Sequence, residues 1–253
     1  MNSRKISFKG SQGAELSARI DEPEGGITKG TILFAHCFTC SKNLKAIGHI
    51  SRALTEEGIG VFRFDFTGLG ESEGDFSDTN FSSNIEDLVA ASEYMKKEWE
   101  SPRMLMGHSL GGAAVLQASH MIESIEAVTT VAAPCNPDHV TNLLLDKKEE
   151  IEKKGEATVQ LAGRPFKIKK QFLDDLEAQN MDGIIKNLDK PLLIFHSPID
   201  KTVGIDNAAH IYKMAKHPKS FISLDDADHL LSNEEDAHYV GSVTAAWVHR
   251  YFQ

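Results

Sequence analysis

Two hydrophobic rhythms alternate along the chain. In TILFAH (31–36), GVFRFDF (60–66), RMLMGH (103–108), AVTTVAA (127–133), PLLIFHS (191–197) and SFISLDD (220–226), aliphatic and β-branched residues fill most positions. Short, continuously apolar runs of this kind fit strands covered on both faces. Between them, apolar residues recur every three or four positions, which predicts helices over 43–57, 83–99, 110–121, 204–216 and 234–252. Gly58 stands where the first of these needs a C-terminal cap. In the second, Ile85, Leu88, Val89, Ser92 and Met95 fall on one stripe. Strand alternating with helix implies parallel strands joined by right-handed crossovers. The first two short runs differ: KISFKG and ELSARI alternate polar with apolar residues, as expected of an antiparallel pair with one wet face.

The rhythm breaks once. Between Pro134 and Lys190 no buried strand is legible for more than fifty residues. That stretch predicts a helix over 138–153, a hairpin around Ala162-Gly163-Arg164 and a helix over 172–180. It is too long and too patterned for a plain connection, so a lid inserted at about 136–190 into one α/β domain spanning 1–253 is expected. The fold class follows: a mostly parallel, doubly wound sheet with an N-terminal antiparallel pair and an inserted lid.

Composition narrows the field only a little. The chain has 253 residues, 41% hydrophobic and 25% charged, ordinary for a globular protein. A net charge of −10 disfavours nucleic acid as a partner and repels an anionic membrane. No run of apolar residues is long enough to span a bilayer, and no secretion signal opens the chain, so no membrane insertion and a cytoplasmic location are expected. Three cysteines suit a reducing compartment better than a stapled fold.

Chemistry is expected beyond the carboxyl ends of parallel strands. After 103–108 comes GHSLGG, placing Gly107-x-Ser109-x-Gly111 between a strand and a helix. Chance alone yields about 0.1 such strings in a chain of this length, so the string is weak evidence by itself. Flanked by RMLM and AAVLQASHMI it becomes strong, because a nucleophilic serine on a tight turn requires that context. A serine hydroxyl needs a base, and the base needs a carboxylate to orient it. Asp200 and His229 each follow a strand by a few residues, in the order serine, acid, histidine. Asp225, Asp226 and Asp228 crowd His229 and are alternatives for the acid. Among the other histidines, His108 should point away from the serine, His36 and His196 suit loop organisation, and His210, His217, His238 and His249 suit ordinary helix positions.

The run FAHCFTCSK (34–42) follows the strand 31–36. An oxyanion needs two prearranged N–H donors, and the backbone of Leu110 and of Phe38 is expected to supply them. Cys37-x-x-Cys40 in the same loop also fits a redox pair at a helix N-terminus. A zinc site would need further ligands; Cys135 and His36 lack the spacing, so no metal and no cofactor are expected.

These residues resemble the α/β-hydrolase superfamily, in its serine esterase, lysophospholipase and serine aminopeptidase-like branch. The resemblance rests on HCFT (36–39), FDFTGLGESEGD (64–75), GHSLGG, HSPIDKTV (196–203) and DADHLL (226–231), and it covers essentially the whole chain. It implies catalytic roles for Ser109, Asp200 and His229, oxyanion roles for Phe38 and Leu110, and a small-molecule ester as substrate. Where that family usually has His-Gly, this chain has His36-Cys37. More narrowly, HCFTCSK, RFDFTGLGESEGDF and LAGRPFKIKKQFLDDL resemble the hydrolase half of bacterial fusions with an OsmC-type peroxide-reducing domain, which implies such a partner domain. The competing expectation is a non-catalytic or thiol-redox accessory protein on the same fold, using Cys37 and Cys40 and linked to oxidative stress. The basic segment 164–170 reads as a solvated hairpin face, or else as a rim attracting an anionic group.

Overall fold

A computed structural model describes residues 1–26, 28–161 and 163–252. Among the described residues, eight strands form one sheet: β1 (Asn2–Lys9), β2 (Glu15–Glu22), β3 (Thr31–Ala35), β4 (Gly60–Phe64), β5 (Met104–His108), β6 (Ala127–Val131), β9 (Leu192–His196) and β10 (Lys219–Ser223). Their order across the sheet is β1-β2-β4-β3-β5-β6-β9-β10. β1 pairs antiparallel with β2 and β2 antiparallel with β4, while every pair from β4 to β10 is parallel. The mostly parallel sheet with its N-terminal antiparallel pair is therefore the architecture expected from the alternation of runs.

Strand periodicity of two sorts the core onto the two faces. In β3, Ile32 and Phe34 pack with α1 (Lys45–Glu56) and α8 (Glu234–Val248), whereas Leu33 and Ala35 face α2 (Phe81–Glu98) and α3 (Leu110–Ala118). In β5, Met104 and Met106 go to the first side and Leu105 to the second. Because both faces are covered, these strands have no polar face to show, and each fully buried aliphatic side chain contributes about 1.5–3 kcal/mol.

Most helices are shorter than periodicity suggested, and α2 is shifted toward its N-terminus. α2 starts at Phe81, not Ser83: the Asn80 side chain accepts from the Ser83 amide and the Ser83 hydroxyl returns to Asn80, a capping box. α7 occupies Asp206–Met214, and α8 ends at Val248. Between β6 and β9, the expected single helix over 138–153 is a 3-10 stretch, Pro137–Leu144, followed by α4 (Leu145–Lys154), which Gly155 ends in a left-handed conformation. β7 (Glu156–Leu161) and β8 (Arg164–Lys169) form a separate antiparallel hairpin, as expected; Ala162 lies outside the described residues. The helix expected over 172–180 is α5 (Lys170–Glu177), and a further short helix that was not expected follows, α6 (Met181–Lys186), which Asn180 caps through the Gly183 amide.

Strand order reverses around β3, which has β4 on one side and β5 on the other. A crevice opens beyond the carboxyl ends of strands at such a switch point. The loops after β3, β5, β9 and β10 meet there.

Candidate active site

The turn after β5 places Ser109 at φ 55° and ψ −126°, a conformation that L-residues rarely adopt. It is held by the neighbouring strand: the Ser109 amide donates to the Val131 carbonyl at 2.8 Å, and the Ser109 carbonyl accepts from Gly112 at 2.8 Å. The flanking glycines are dictated by space. A Cβ on Gly107 would run into the backbone of Gly111, and one on Gly111 into the carbonyls of Ala35 and His36. The start of α3 is thus pressed against the loop after β3.

His229 and Asp200 arrive from the loops after β10 and β9. The Ser109 hydroxyl lies 3.0 Å from His229 Nε2, and His229 Nδ1 lies 2.7 Å from Asp200 Oδ2. This network assigns the proton to Nδ1, leaving Nε2 to accept from the serine. Asp200 is buried, and its Oδ1 accepts from the amides of Thr202 and Val203 at 2.8 and 2.9 Å. Burial works to raise its pKa, but the hydrogen bonds from His229 and those two amides outweigh it, and the carboxyl stays below its ordinary value. The alternative acids are not at the imidazole: Asp225, Asp226 and Asp228 are exposed, and Asp228 Oδ1 accepts from the Ser232 amide.

The remaining histidines near the site organise loops. His108 Nε2 donates to the His229 carbonyl at 2.7 Å, and burial followed by the charge of His229 lowers its pKa to about 4. His196 Nε2 donates to the Val203 carbonyl at 2.7 Å, and burial lowers its pKa too. His36 Nδ1 donates to the Cys37 carbonyl at 2.8 Å and is likewise kept neutral by burial.

Phe38 and Leu110 line one small cavity together with His36, Phe66 and Ala114. Leu110 is the first residue of α3, so its amide has no acceptor within the helix. Among the described residues, the Phe38 amide takes no backbone hydrogen bond in its loop. The low cysteine count suggested thiols; instead Cys37 and Cys40 are joined as a disulfide that brackets Phe38 and Thr39. Cys135 is free and half-buried, and burial raises its pKa.

Two features escaped the sequence. Beneath the loop, Lys42 is fully buried and its ammonium meets Asp65 and Glu71, each at 2.6 Å, while Arg63 meets Asp21 at 2.6 Å. The signal was present: GVFRFDF carries two charges within an otherwise apolar run, and charges are rarely buried unless paired. The second is Arg164, which donates to the Thr39 carbonyl and so ties the β7–β8 hairpin to the loop. The basic segment is mostly spoken for: Lys167 pairs with Glu156 at 3.1 Å, Lys169 with Asp78, and Lys170 with Asp174 at 2.5 Å. Each lysine of the segment thus has an acidic partner.

Residues 26–165 match the family described as serine aminopeptidase, S33. The chain belongs to that family. It is an α/β-hydrolase, as the motifs implied. Among solved structures, the S33 chain is 49% identical to the esterase domain of a Rhodothermus marinus protein, with a TM-score of 0.82 and all of both chains covered. Est1E from Butyrivibrio proteoclasticus, solved with ferulic acid bound, shares the fold at a TM-score of 0.80 and 20% identity, over 96% of this chain and 99% of that one. The mouse mitochondrial palmitoyl-protein thioesterase ABHD10 is 23% identical over 222 residues, 84% of this chain and 73% of that protein. Together with the S33 match, these neighbours support a hydrolase of esterase type. No helix among the described residues is long and apolar enough to cross a membrane.

Proposed function

We propose that this S33 hydrolase cleaves carboxylic esters through an acyl-enzyme on Ser109. The observation that carries this is the unbroken line from Asp200 Oδ2 through His229 to the Ser109 hydroxyl, at 2.7 and 3.0 Å. His229 takes the serine proton as Oγ attacks the carbonyl carbon, and Asp200 stabilises the imidazolium that forms. The amides of Phe38 and Leu110 receive the oxyanion. Collapse of the tetrahedral intermediate breaks the ester C–O bond, and His229 returns the proton to the departing alkoxide. Water, deprotonated by the same imidazole, then attacks the acyl-serine, and release of the acid regenerates the hydroxyl.

In this scheme the segment from Pro137 to Lys186 acts as a lid over the acyl or leaving-group side. Its hairpin bears on the oxyanion loop through Arg164, and its 3-10 stretch bears on the loop after β9 through His139, whose Nε2 donates to the Thr202 carbonyl at 2.6 Å. A thioester is the second substrate type, favoured by the similarity to the mouse thioesterase.

Turnover of p-nitrophenyl esters and thioesters of graded acyl length tests the proposal and ranks the substrates. A fluorophosphonate should label Ser109, Ser109→Ala should lose at least about 10⁴-fold in kcat, and Asp200→Asn about 10⁴-fold, with folding intact. Ester hydrolysis that survives in Ser109→Ala would remove the serine from the mechanism.

A further inference from the structure

We infer that Lys42 and Asp65 are positioning residues that set the height of the Phe38 amide in the oxyanion hole. This rests on the proposed hydrolase mechanism and assigns a further part of the same site.

Every polar group of Lys42 is fixed. Its amide donates to Asp65 Oδ1 at 2.6 Å, its ammonium donates to Asp65 Oδ2 and to Glu71 at 2.6 Å, and its carbonyl accepts from Arg63 Nη1. Asp65 follows directly on β4 and also accepts from the Glu71 amide at 2.9 Å. Space is reserved for this carboxylate: a Cβ on Gly70 would collide with it. The loop from His36 is therefore tied at its far end to the carboxyl edge of the sheet. The Cys37–Cys40 bridge shortens the free chain between that tie and Phe38, so a shift at Lys42 is passed on rather than absorbed.

Stability alone gives no reason for this device. Apolar residues of similar volume are often as stable as a buried ion pair, or more so. An oxyanion donor, by contrast, must sit within a few tenths of an ångström of its place, since useful distances span only about 2.7–3.1 Å. The bidentate carboxylate fixes both the backbone and the side chain of Lys42, which an apolar contact would not do.

Three variants test the assignment: Lys42→Met, the double variant Lys42→Met/Asp65→Leu, and Glu71→Gln at the half-exposed end of the cluster. Each is assayed for kcat and KM on a short p-nitrophenyl ester, and for affinity toward an alkyl boronic acid whose adduct places an oxygen in the oxyanion hole. Complete loss of a donor costs about 10²–10³-fold; displacement should lower kcat about 10- to 100-fold in the first two variants, with KM nearly unchanged and boronate affinity falling in parallel. The double variant decides if Lys42→Met does not fold, because it leaves no unpaired buried charge. Glu71→Gln folds in either case, since that side chain is 48% exposed, and should show the same signature at about 2- to 5-fold. Unchanged kcat in folded Glu71→Gln, or a double variant that recovers wild-type kcat along with stability, would overturn the assignment and leave Lys42 a structural residue. Failure of the hydrolase mechanism itself would show separately, as absent turnover in the unmodified protein or surviving turnover in Ser109→Ala.

Discussion

Beneath the loop after β3, Lys42 and Arg63 each meet a carboxylate at 2.6 Å and are buried. On α4, Lys153 meets Glu149 at 2.5 Å and Lys154 meets Glu150 at 3.0 Å, yet all but Glu150 of these side chains are more than two-thirds exposed. The distances overlap; the surroundings do not. Water screens the second group and competes for its partners, whereas the first group has no alternative once folded. Contact distance therefore says little about worth in this molecule, and burial says most. The loop after β3 is built on the stiff kind of charge, α4 on the loose kind.

The largest effect that would break this contrast is at Arg63. Arg63→Met leaves Asp21 buried and unpaired and should cost about 3–5 kcal/mol in urea unfolding; a near-neutral result would put the buried cluster on the same footing as the surface pairs. Next comes acid. His108 is held neutral, with its pKa lowered from 6.5 to about 4 by burial and then by His229. Between those values the unfolded chain binds the proton and the folded one does not, so stability rises with pH across this window and is lost as pH falls from 6.5 toward 4. The contribution is on the order of 3 kcal/mol, and His108→Gln should flatten the slope of unfolding free energy against pH by about one proton, with His36 and His196 still contributing in the same direction. Opening the Cys37–Cys40 bridge in Cys40→Ser should cost about 2 kcal/mol or less, because the closed loop is so short, and lower kcat several-fold; full activity would show that the bridge does not stiffen the loop. Smallest of all, Lys153→Gln should leave the unfolding midpoint where it was, and a clear drop would contradict the view that the ion pairs along α4 are idle.

Much of this was legible beforehand because the informative patterns are local. A strand buried on both faces is apolar at most positions, so β3, β4, β5, β6 and β9 announced themselves, and the tight turn at Ser109 leaves room only for glycine at 107 and 111. What stayed hidden depends on approach through space. Nothing near Lys42 in the sequence names Asp65, twenty-three residues on, or distinguishes that lysine from a solvated one. Asp200 was separable from Asp225, Asp226 and Asp228 only by strand order, and Asp228 sits beside His229 in sequence while its carboxylate turns to the Ser232 amide. The break between the 3-10 stretch and α4 was invisible because periodicity of three and of 3.6 residues coincide over so few turns.

The main chain at Ser109 carries a further implication for anyone engineering this protein. A non-glycine residue at φ 55° costs on the order of 1–3 kcal/mol, a tension the surrounding turn must hold in check. Ser109→Gly would release it. On the mechanism proposed above, an inert protein that melts at a higher temperature than the working one is the expected outcome, and screens that select for heat resistance alone would drift toward discarding the proposed nucleophile.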